Sequence, residues 1–194
     1  MKVVGLTGSI GMGKSATAGM FRRVGVPVHD SDAAVRALYN GPNAQTIGEM
    51  FPGAVYRGQV DRDELAKKVL NNPAALKKLE EFVHPIVADD RSAFIMDAAL
   101  RGEPIIVLDI PLLFEVGGLS VIDTIVVVSA PWEVQRLRVL GRPGMTEERF
   151  RSILAKQWPD SKKRGAAHFV VETGFGLLAA EQQVHAFLRA VANT

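Results

Sequence analysis

The chain has 194 residues, 47% apolar and 23% charged, a composition typical of one globular domain. Its net charge of +2 and the even spread of its basic residues do not favour nucleic-acid binding, and the absence of cysteine excludes disulfides, thiolate catalysis and cysteine-based zinc sites. No apolar run approaches the length of a membrane span and the first residues lack a signal-peptide profile, so we expect a cytoplasmic protein without a membrane partner.

The first predicted strand, residues 3–7, leads directly into a phosphate-binding motif. Residues 8–15 read Gly-Ser-Ile-Gly-Met-Gly-Lys-Ser, which is G-x-x-x-x-G-K-[ST], and a helix is predicted to begin near Gly13. The glycines allow backbone N–H groups to approach phosphate oxygens, and the helix dipole favours the same anion. Lys14 is expected to reach the β- and γ-phosphates and the Ser15 hydroxyl to hold Mg²⁺. The predicted nucleotide-binding residues are Gly8, Ser9, Ile10, Gly11, Met12, Gly13, Lys14, Ser15 and Ala16.

A dinucleotide-binding fingerprint overlaps this loop. Gly11, Gly13 and Ala16 fit G-x-G-x-x-G/A, and an aspartate pair follows at about the expected distance. That fingerprint requires its first glycine in the tight turn that closes the strand, whereas residues 8–10 separate the predicted strand end from Gly11. The loop has the length of a phosphate cradle, so the dinucleotide interpretation is rejected.

Four further segments predict strands. Residues 104–108, 124–128 and 169–171 are short apolar runs, typical of buried parallel strands. Residues 25–29 form a weaker candidate, because Pro27 suits a sheet edge or the first residue of a strand. Between the predicted strands, apolar residues recur at helical spacing. This alternation predicts an α/β fold with a doubly wound parallel sheet and helices on both faces.

The predicted helices have apolar residues at helical spacing, and they are unevenly distributed. They are expected near residues 16–24, 33–39, 76–83, 86–101, 134–140, 150–154 and 177–191. Pro85 is expected at the first position of the helix over 86–101, with His84 just before it. The interval between the second and third strands is far longer than a bare crossover needs. We therefore expect one domain, 1–194, with a helical insertion at about 33–101 and a helical lid at about 131–160.

Several charged residues are candidates for chemistry. Asp32 follows the second predicted strand, where a carboxylate could orient an alcohol and accept its proton during phosphoryl transfer, although Asp30 is equally explained as a helix cap. Arg138 and Arg142, spaced i, i+4 on a predicted helix, are expected to neutralise the transferred phosphoryl group; a solvated helix face is the alternative. Other charged residues are interpreted more simply: Arg136 as structural, Lys162-Lys163-Arg164 as a solvated basic turn, and Asp109 as a carboxylate near Mg²⁺.

Together these motifs resemble the dephospho-coenzyme A kinase family. The matching segments follow the chain in order, and they are residues 6–15, the D-x-D at 30–32, 62–65, 79–85, 111–115, and 135–138 with Arg142. The phosphate loop alone occurs in many unrelated proteins. Its combination with D-x-D, L-E-x-x-x-H-P and P-L-L-F-E is specific.

The resemblance implies a P-loop kinase-like three-layer fold with a five-stranded parallel sheet, a helical substrate domain and a helical lid. It implies transfer of the ATP γ-phosphate to the ribose 3′-hydroxyl of dephospho-coenzyme A, with Asp32 as the acid/base group. We expect catalytic roles for Lys14, Asp32, Arg138 and Arg142, with Mg²⁺ held at Ser15. Substrate contacts are expected from Asp32, Arg62, His84, Leu112 and Glu115. A monomer or small homo-oligomer is expected.

One segment departs from the family pattern, and two alternative functions are considered. His168 stands where the family usually has aspartate, and Glu172 where asparagine is frequent, in a segment that lies near the adenine of ATP in the family. Another P-loop kinase for a nucleoside, nucleotide or shikimate-like alcohol is the first alternative, which the H-P and P-L-L-F-E segments disfavour. A GTPase-like switch is the second, and the sequence lacks its D-x-x-G and N-K-x-D motifs.

Overall fold

The computed structural model describes residues 1–70, 72–117 and 119–192. The strands are β1 (Lys2–Thr7), β2 (Val28–Asp30), β3 (Val55–Tyr56), β4 (Gln59–Val60), β5 (Ile105–Asp109), β6 (Thr124–Ser129) and β7 (Phe169–Glu172). The α-helices are α1 (Lys14–Arg23), α2 (Ser31–Asn40), α3 (Asn43–Met50), α4 (Arg62–Val69), α5 (Pro73–Leu100), α6 (Leu113–Val116), α7 (Trp132–Leu140), α8 (Glu147–Leu154), α9 (Asp160–Gly165) and α10 (Leu177–Ala192). A short 3₁₀ helix spans Leu119–Val121.

Five strands of the described chain form one sheet, in the order β2-β5-β1-β6-β7. β1 pairs in parallel with β5 and β6, and β6 pairs in parallel with β7. The central strands are buried along most of their length, which explains why they read as continuous apolar runs. β2 is an edge strand, and the Pro27 carbonyl just before it accepts a hydrogen bond from the Val107 N–H at 2.9 Å. The predicted parallel α/β sheet is confirmed.

The chain divides into two compact units. Unit 1 comprises Met1–His29 and Ala98–Thr194, and unit 2 comprises Asp30–Asp97. The core of unit 1 packs α1 and α10 beside the sheet, where Phe21 and Phe187 make an edge-to-face contact with ring centroids 6.0 Å apart. Unit 2 contains its own apolar core, formed by helices and by the antiparallel β3–β4 hairpin.

The long helix α5 contradicts the prediction that Pro85 begins a helix. α5 runs for 28 residues with Pro85 inside it, so His84 lies mid-helix and is not a cap. Proline removes one helical hydrogen bond, but apolar side chains on both sides of it pack into the core of unit 2 and hold the helix together. These side chains are Leu79, Phe82, Val83, Ile86 and Val87. Within the described residues, no helix is both long and apolar enough to cross a bilayer.

Helix α7 buries only part of the predicted apolar stripe: Val134 packs against the core of unit 1, but Leu137 does not. Leu137, expected in its apolar stripe, is 76% exposed, whereas Gln135 and Val139 are buried. The two buried residues are spaced i, i+4 and therefore share one face. A polar residue occupies this face because the Gln135 amide donates to the Ile10 carbonyl at 2.7 Å.

Candidate active site

The phosphate-loop motif forms the connection between β1 and α1. Gly11 and Gly13 have φ angles of 80° and 99°, in the left-handed region that favours glycine, and a Cβ on Gly11 would collide with Val139. Gly13 is the N-cap of α1, and no side chain in the described structure caps this helix. The N–H groups of its first turn have no carbonyl partner inside the helix, so they are available to an anion.

Side chains from elsewhere in unit 1 hold the outer surface of this loop. The Ile10 N–H donates to Gln157 Oε1 at 3.1 Å, and the Ile10 carbonyl accepts from the Gln135 amide. The Thr173 hydroxyl donates to the Met12 carbonyl at 2.6 Å. These hydrogen bonds tie the loop to other parts of unit 1.

Lys14 and Ser15 lie at the start of α1, where the motif predicts them. The Lys14 ammonium lies 2.6 Å from Asp109 Oδ1, and the two side chains are 14% and 4% exposed. Asp109 ends β5, next to Leu6 of β1 in the sheet register. The Ser15 side chain is exposed. An ammonium and a carboxylate therefore meet at the carboxyl edge of the sheet, where ligands of parallel α/β proteins bind, and Ser15 follows Lys14 directly in the chain.

The residues present are compatible with Mg²⁺. Ser15 offers a hydroxyl oxygen and Asp109 a carboxylate oxygen, which are the hard ligands that Mg²⁺ prefers. Among the residues that the structure describes, no group of three or more His, Asp or Glu could hold a metal ion by itself. A Mg²⁺ ion that is bound partly by substrate phosphates requires few protein ligands, so the donor set suits such an ion.

The two predicted catalytic arginines differ in placement. Arg138 lies in the last turn of α7 and donates to Thr173 twice, from Nη1 to Oγ1 at 2.8 Å and from Nη2 to the carbonyl at 2.7 Å; Nη1 also lies 3.5 Å from the Gly11 carbonyl. Arg142 is exposed and lies beyond the end of α7 at Leu140. The expectation that both share one helical face is therefore wrong, because the helix ends between them.

Thr173 is a residue that the sequence reasoning missed. Its side chain is 6% exposed, and its hydroxyl joins Met12 to Arg138 while its N–H donates to the Ser129 carbonyl at 2.8 Å. A Cβ on Gly13 would lie 3.0 Å from the Thr173 hydroxyl. A polar residue directly after a buried strand was the available signal, since strand ends in such sheets carry site residues.

Glu115, which was predicted to contact substrate, forms a hydrogen bond and an ion pair within the protein. Its Oε1 accepts from the Trp158 N–H at 2.7 Å and lies 2.9 Å from Lys163 Nζ. Lys163 is fully buried, so the prediction of a solvated basic turn is wrong at this residue. Lys162 stays near the surface but lies over the Trp158 ring, 3.4 Å from its centroid. These contacts fix α9 against the segment that follows β5.

Replacing Glu115 with glutamine is expected to destabilise the protein most at neutral pH. Burial raises the pKa of Glu115, but hydrogen bonds from Lys163 and the Trp158 N–H outweigh it and hold this pKa below its ordinary value of 4.5. Stability from the carboxylate is therefore present above pH 4.5 and is lost as the pH falls through the folded-state pKa. Breaking a buried ion pair costs roughly 3–5 kcal/mol at neutral pH.

Thermal unfolding of Glu115→Gln and wild type, followed from neutral to acidic pH, tests this expectation. The difference in Tm should be large at neutral pH and shrink as the medium becomes acidic. Glu148→Gln, at an exposed position of α8, is the matched control. A Tm difference that is constant across the series would contradict the expected role of the ionised carboxylate.

Unit 2 contains a cleft of about 460 Å³ that brings together two of the predicted site residues. Asp32 lies in the first turn of α2 and Arg62 is the first residue of α4. The Arg62 guanidinium lies 5.5 Å from the centroid of the Tyr39 ring. Burial raises the pKa of Tyr39, with Arg62 acting in the opposite direction, so this hydroxyl is neutral and able to donate at neutral pH.

The other predicted substrate contacts lie elsewhere. His84 is exposed on α5 and is outside the set of described residues that line the cleft. Leu112 belongs to unit 1, where it precedes α6 and is 36% exposed. The substrate contacts assigned to His84, Leu112 and Glu115 stay predictions.

The two departures from the family pattern make well-defined contacts. His168 Nδ1 accepts a hydrogen bond from the Ile125 N–H at 3.0 Å, a role that a carboxylate oxygen can also perform. Glu172 pairs with Arg164, which raises the pKa of that guanidinium, and its backbone N–H donates to Gln183 at 2.8 Å. Both side chains therefore contribute to the support of β7.

Comparison with known proteins decides the family. The family model described as dephospho-CoA kinase matches residues 2–177. The dephospho-CoA kinase of Mesorhizobium japonicum is 56% identical, over 97% of this chain and 95% of its own length, and that of Nitrobacter winogradskyi is 48% identical, over 100% and 97%. The chain belongs to the dephospho-CoA kinase family. The resemblance inferred from the motifs is confirmed, and the protein is a phosphotransferase of the kinase class that uses a nucleotide.

Solved structures agree on the fold. TT1252 from Thermus thermophilus matches with a TM-score of 0.84 at 36% identity, over 97% of this chain and 96% of that one. A dephospho-CoA kinase from Campylobacter jejuni matches with a TM-score of 0.68 at 20% identity, over 98% and 97%. A shikimate kinase from Acinetobacter baumannii matches with a TM-score of 0.55 at 15% identity, over 100% and 94%. The predicted P-loop kinase-like fold is therefore confirmed.

Proposed function

We propose that the protein transfers the γ-phosphate of ATP to the ribose 3′-hydroxyl of dephospho-CoA, which yields CoA and ADP. The observation that carries this proposal is the relation to dephospho-CoA kinases over nearly the whole chain. The geometry supports it, because the phosphate loop is complete and held in shape by protein contacts.

In the proposed reaction, the acceptor 3′-oxygen attacks the γ-phosphorus while the bond to the β,γ-bridging oxygen breaks. The hydroxyl proton passes to the Asp32 carboxylate, and ADP leaves with the bond electrons. Lys14 and the first-turn amides of α1 hold the β- and γ-phosphates, so Lys14 exchanges its partner Asp109 for phosphate oxygens. Phosphoryl transfer requires mainly positioning and charge stabilisation, which these groups supply.

The remaining predicted roles concern charge neutralisation. Ser15 would hold Mg²⁺ in this proposal, with Asp109 nearby, and the ion would supply positive charge that neutralises the phosphates. Arg138 and Arg142 belong to the segment proposed as a lid, residues 131–160. Of these two, Arg138 contacts the Gly11 carbonyl of the phosphate loop and Thr173. Its proposed role therefore includes positioning the loop as well as stabilising the transferred group.

Replacing Thr173 with valine is expected to raise the KM for ATP by about tenfold, because the buried Met12 carbonyl and Arg138 lose their shared hydroxyl. Valine keeps the shape of threonine, so the effect reports the hydroxyl group. Thr173→Ser keeps the hydroxyl and is the matched control. Steady-state kinetics against ATP concentration measure the effect; equal KM values for the valine variant and wild type would contradict a role for this hydroxyl.

Mass spectrometry of the acceptor tests the proposed function. The protein is incubated with ATP, Mg²⁺ and dephospho-CoA, and in parallel with 3′-deoxy dephospho-CoA, shikimate and nucleoside monophosphates. We expect dephospho-CoA alone to gain the mass of one phosphoryl group, and its 3′-deoxy analogue to stay unchanged. Phosphorylation of shikimate or a nucleoside monophosphate in preference to dephospho-CoA would replace this assignment with another P-loop kinase activity.

A further inference from the structure

The cleft of unit 2 is formed by matching faces of two helices. On α2 and on α4 the lining residues follow the spacing i, i+3, i+4, i+7, so each set shares one helical face. Leu79 of α5 completes the lining. The residues from α2 are Asp32, Val35, Arg36 and Tyr39, and those from α4 are Arg62, Leu65, Ala66 and Val69.

The cleft combines an apolar lining with two guanidinium groups. The Arg36 side chain is 50% exposed, and its Nη2 lies 3.4 Å from Asp30 Oδ2, a long contact for a charge-assisted hydrogen bond. Arg62 lies over the face of the Tyr39 ring. Asp30 is engaged independently of Arg36, since its Oδ1 accepts the Ala33 N–H at 2.9 Å as the N-cap of α2. Arg36 can therefore leave Asp30 for a ligand without loss of the helix cap.

Arg36 lies one helical turn from Asp32 on the same face of α2. In the proposed acceptor, the 3′-hydroxyl and the 5′-diphosphate are attached to one ribose ring and are separated by a few bonds. The Asp32 carboxylate can contact the hydroxyl, and the Arg36 guanidinium, one helical turn away, can contact the diphosphate. Arginine offers a planar fork of donors that fits phosphate oxygens, which a lysine does not.

We infer that Arg36, together with Arg62, binds the 5′-diphosphate of the acceptor, and that Arg36 thereby positions the ribose hydroxyl at Asp32. This inference rests on the proposed function and assigns a diphosphate-binding role to a residue outside the motif predictions. It requires that the Arg36 guanidinium release the Asp30 carboxylate and bind the diphosphate instead. Among the described residues that line the cleft, the Tyr39 hydroxyl and the Asp32 carboxylate are the other ionisable groups.

Arg36→Gln tests the inference through the acceptor. We expect the KM for dephospho-CoA to rise about tenfold to hundredfold, with the KM for ATP unchanged. Arg36→Lys should fall between glutamine and wild type, because it keeps the charge but not the fork. Arg57→Gln, at an exposed position of the β3–β4 hairpin outside the cleft, is the matched control and should behave as wild type.

A truncated acceptor distinguishes diphosphate recognition from a general structural effect. Adenosine keeps the ribose hydroxyl but lacks the diphosphate, so its inhibition constant against dephospho-CoA should be the same for wild type and Arg36→Gln. The inference would be overturned if Arg36→Gln weakened the binding of adenosine and of dephospho-CoA by the same factor, or if its KM for dephospho-CoA were unchanged. Calorimetry of dephospho-CoA binding without ATP separates the two proposals. Weaker binding by Arg36→Gln than by wild type supports this site whether or not phosphoryl transfer is detected. Absence of phosphoryl transfer would overturn the proposed function alone.

Discussion

Replacing Asp32 with asparagine is expected to lower kcat roughly 10²–10⁴-fold, because the variant cannot accept the proton of the attacking hydroxyl. The KM for ATP should stay nearly unchanged, since the proposed ATP contacts come from the phosphate loop and not from Asp32. Asparagine keeps the size of the side chain, and Asp32 is exposed, so the fold should tolerate the change. Steady-state kinetics with dephospho-CoA, combined with calorimetry of ATP binding, measure both quantities.

Asp89→Asn is the matched control for this experiment, because it removes a carboxylate from an exposed position of α5 in the same unit. It should keep wild-type kcat. If Asp32→Asn also kept wild-type kcat, Asp32 would be removed from the mechanism and another base would be required. If the KM for dephospho-CoA rose and kcat stayed at the wild-type value, Asp32 would instead be a substrate-binding group.

Replacing Lys14 with methionine is expected to lower kcat/KM for ATP by roughly 10²–10³-fold, because the ammonium that holds the β- and γ-phosphates is lost. The substitution has a second effect on the free protein. The Asp109 carboxylate, 4% exposed, loses the ammonium that lies 2.6 Å from it, so Lys14→Met should also unfold at a lower temperature.

The double variant Lys14→Met with Asp109→Asn separates these two effects. Neutralising Asp109 removes the buried carboxylate charge that lost the Lys14 ammonium and should recover part of the lost Tm, whereas ATP turnover should stay low. Turnover and thermal unfolding are measured on the two single variants and the double variant. Recovery of turnover in the double variant would show that Lys14 acts through stability and not through phosphate binding.

The sheet and the phosphate loop could be predicted because their signals are local. Each buried strand is a short apolar run, and a loop such as residues 8–13 needs glycine wherever φ is positive, as at Gly11 and Gly13. Of the two positions that Pro27 suits, the structure has the sheet edge: β2 is an edge strand, and it begins one residue after the proline. Such features depend on neighbours in the chain, and the sequence states them directly.

The errors occurred where tertiary contacts outweigh local preferences. Pro85 indicated a helix start, but packing on both sides of it carries α5 through the proline. Lys163 resembled its solvated neighbours because nothing in its local sequence reveals Glu115, which follows β5. The position of Thr173 directly after a strand was a signal for a site residue, but its partners Met12 and Arg138 could not be inferred, since both are distant from it in the chain.

The two hydrogen bonds of Ile10 connect the phosphate-binding loop to the segment proposed as a lid. One partner, Gln135, belongs to α7, and the other, Gln157, follows α8. A shift of Gln157 would disturb the Ile10 N–H and a shift of Gln135 the Ile10 carbonyl, so either shift would change the curvature of the loop at this residue. Opening the proposed lid would then also loosen the phosphate loop, so the rate of ADP release would depend in part on two amide side chains that contact the loop.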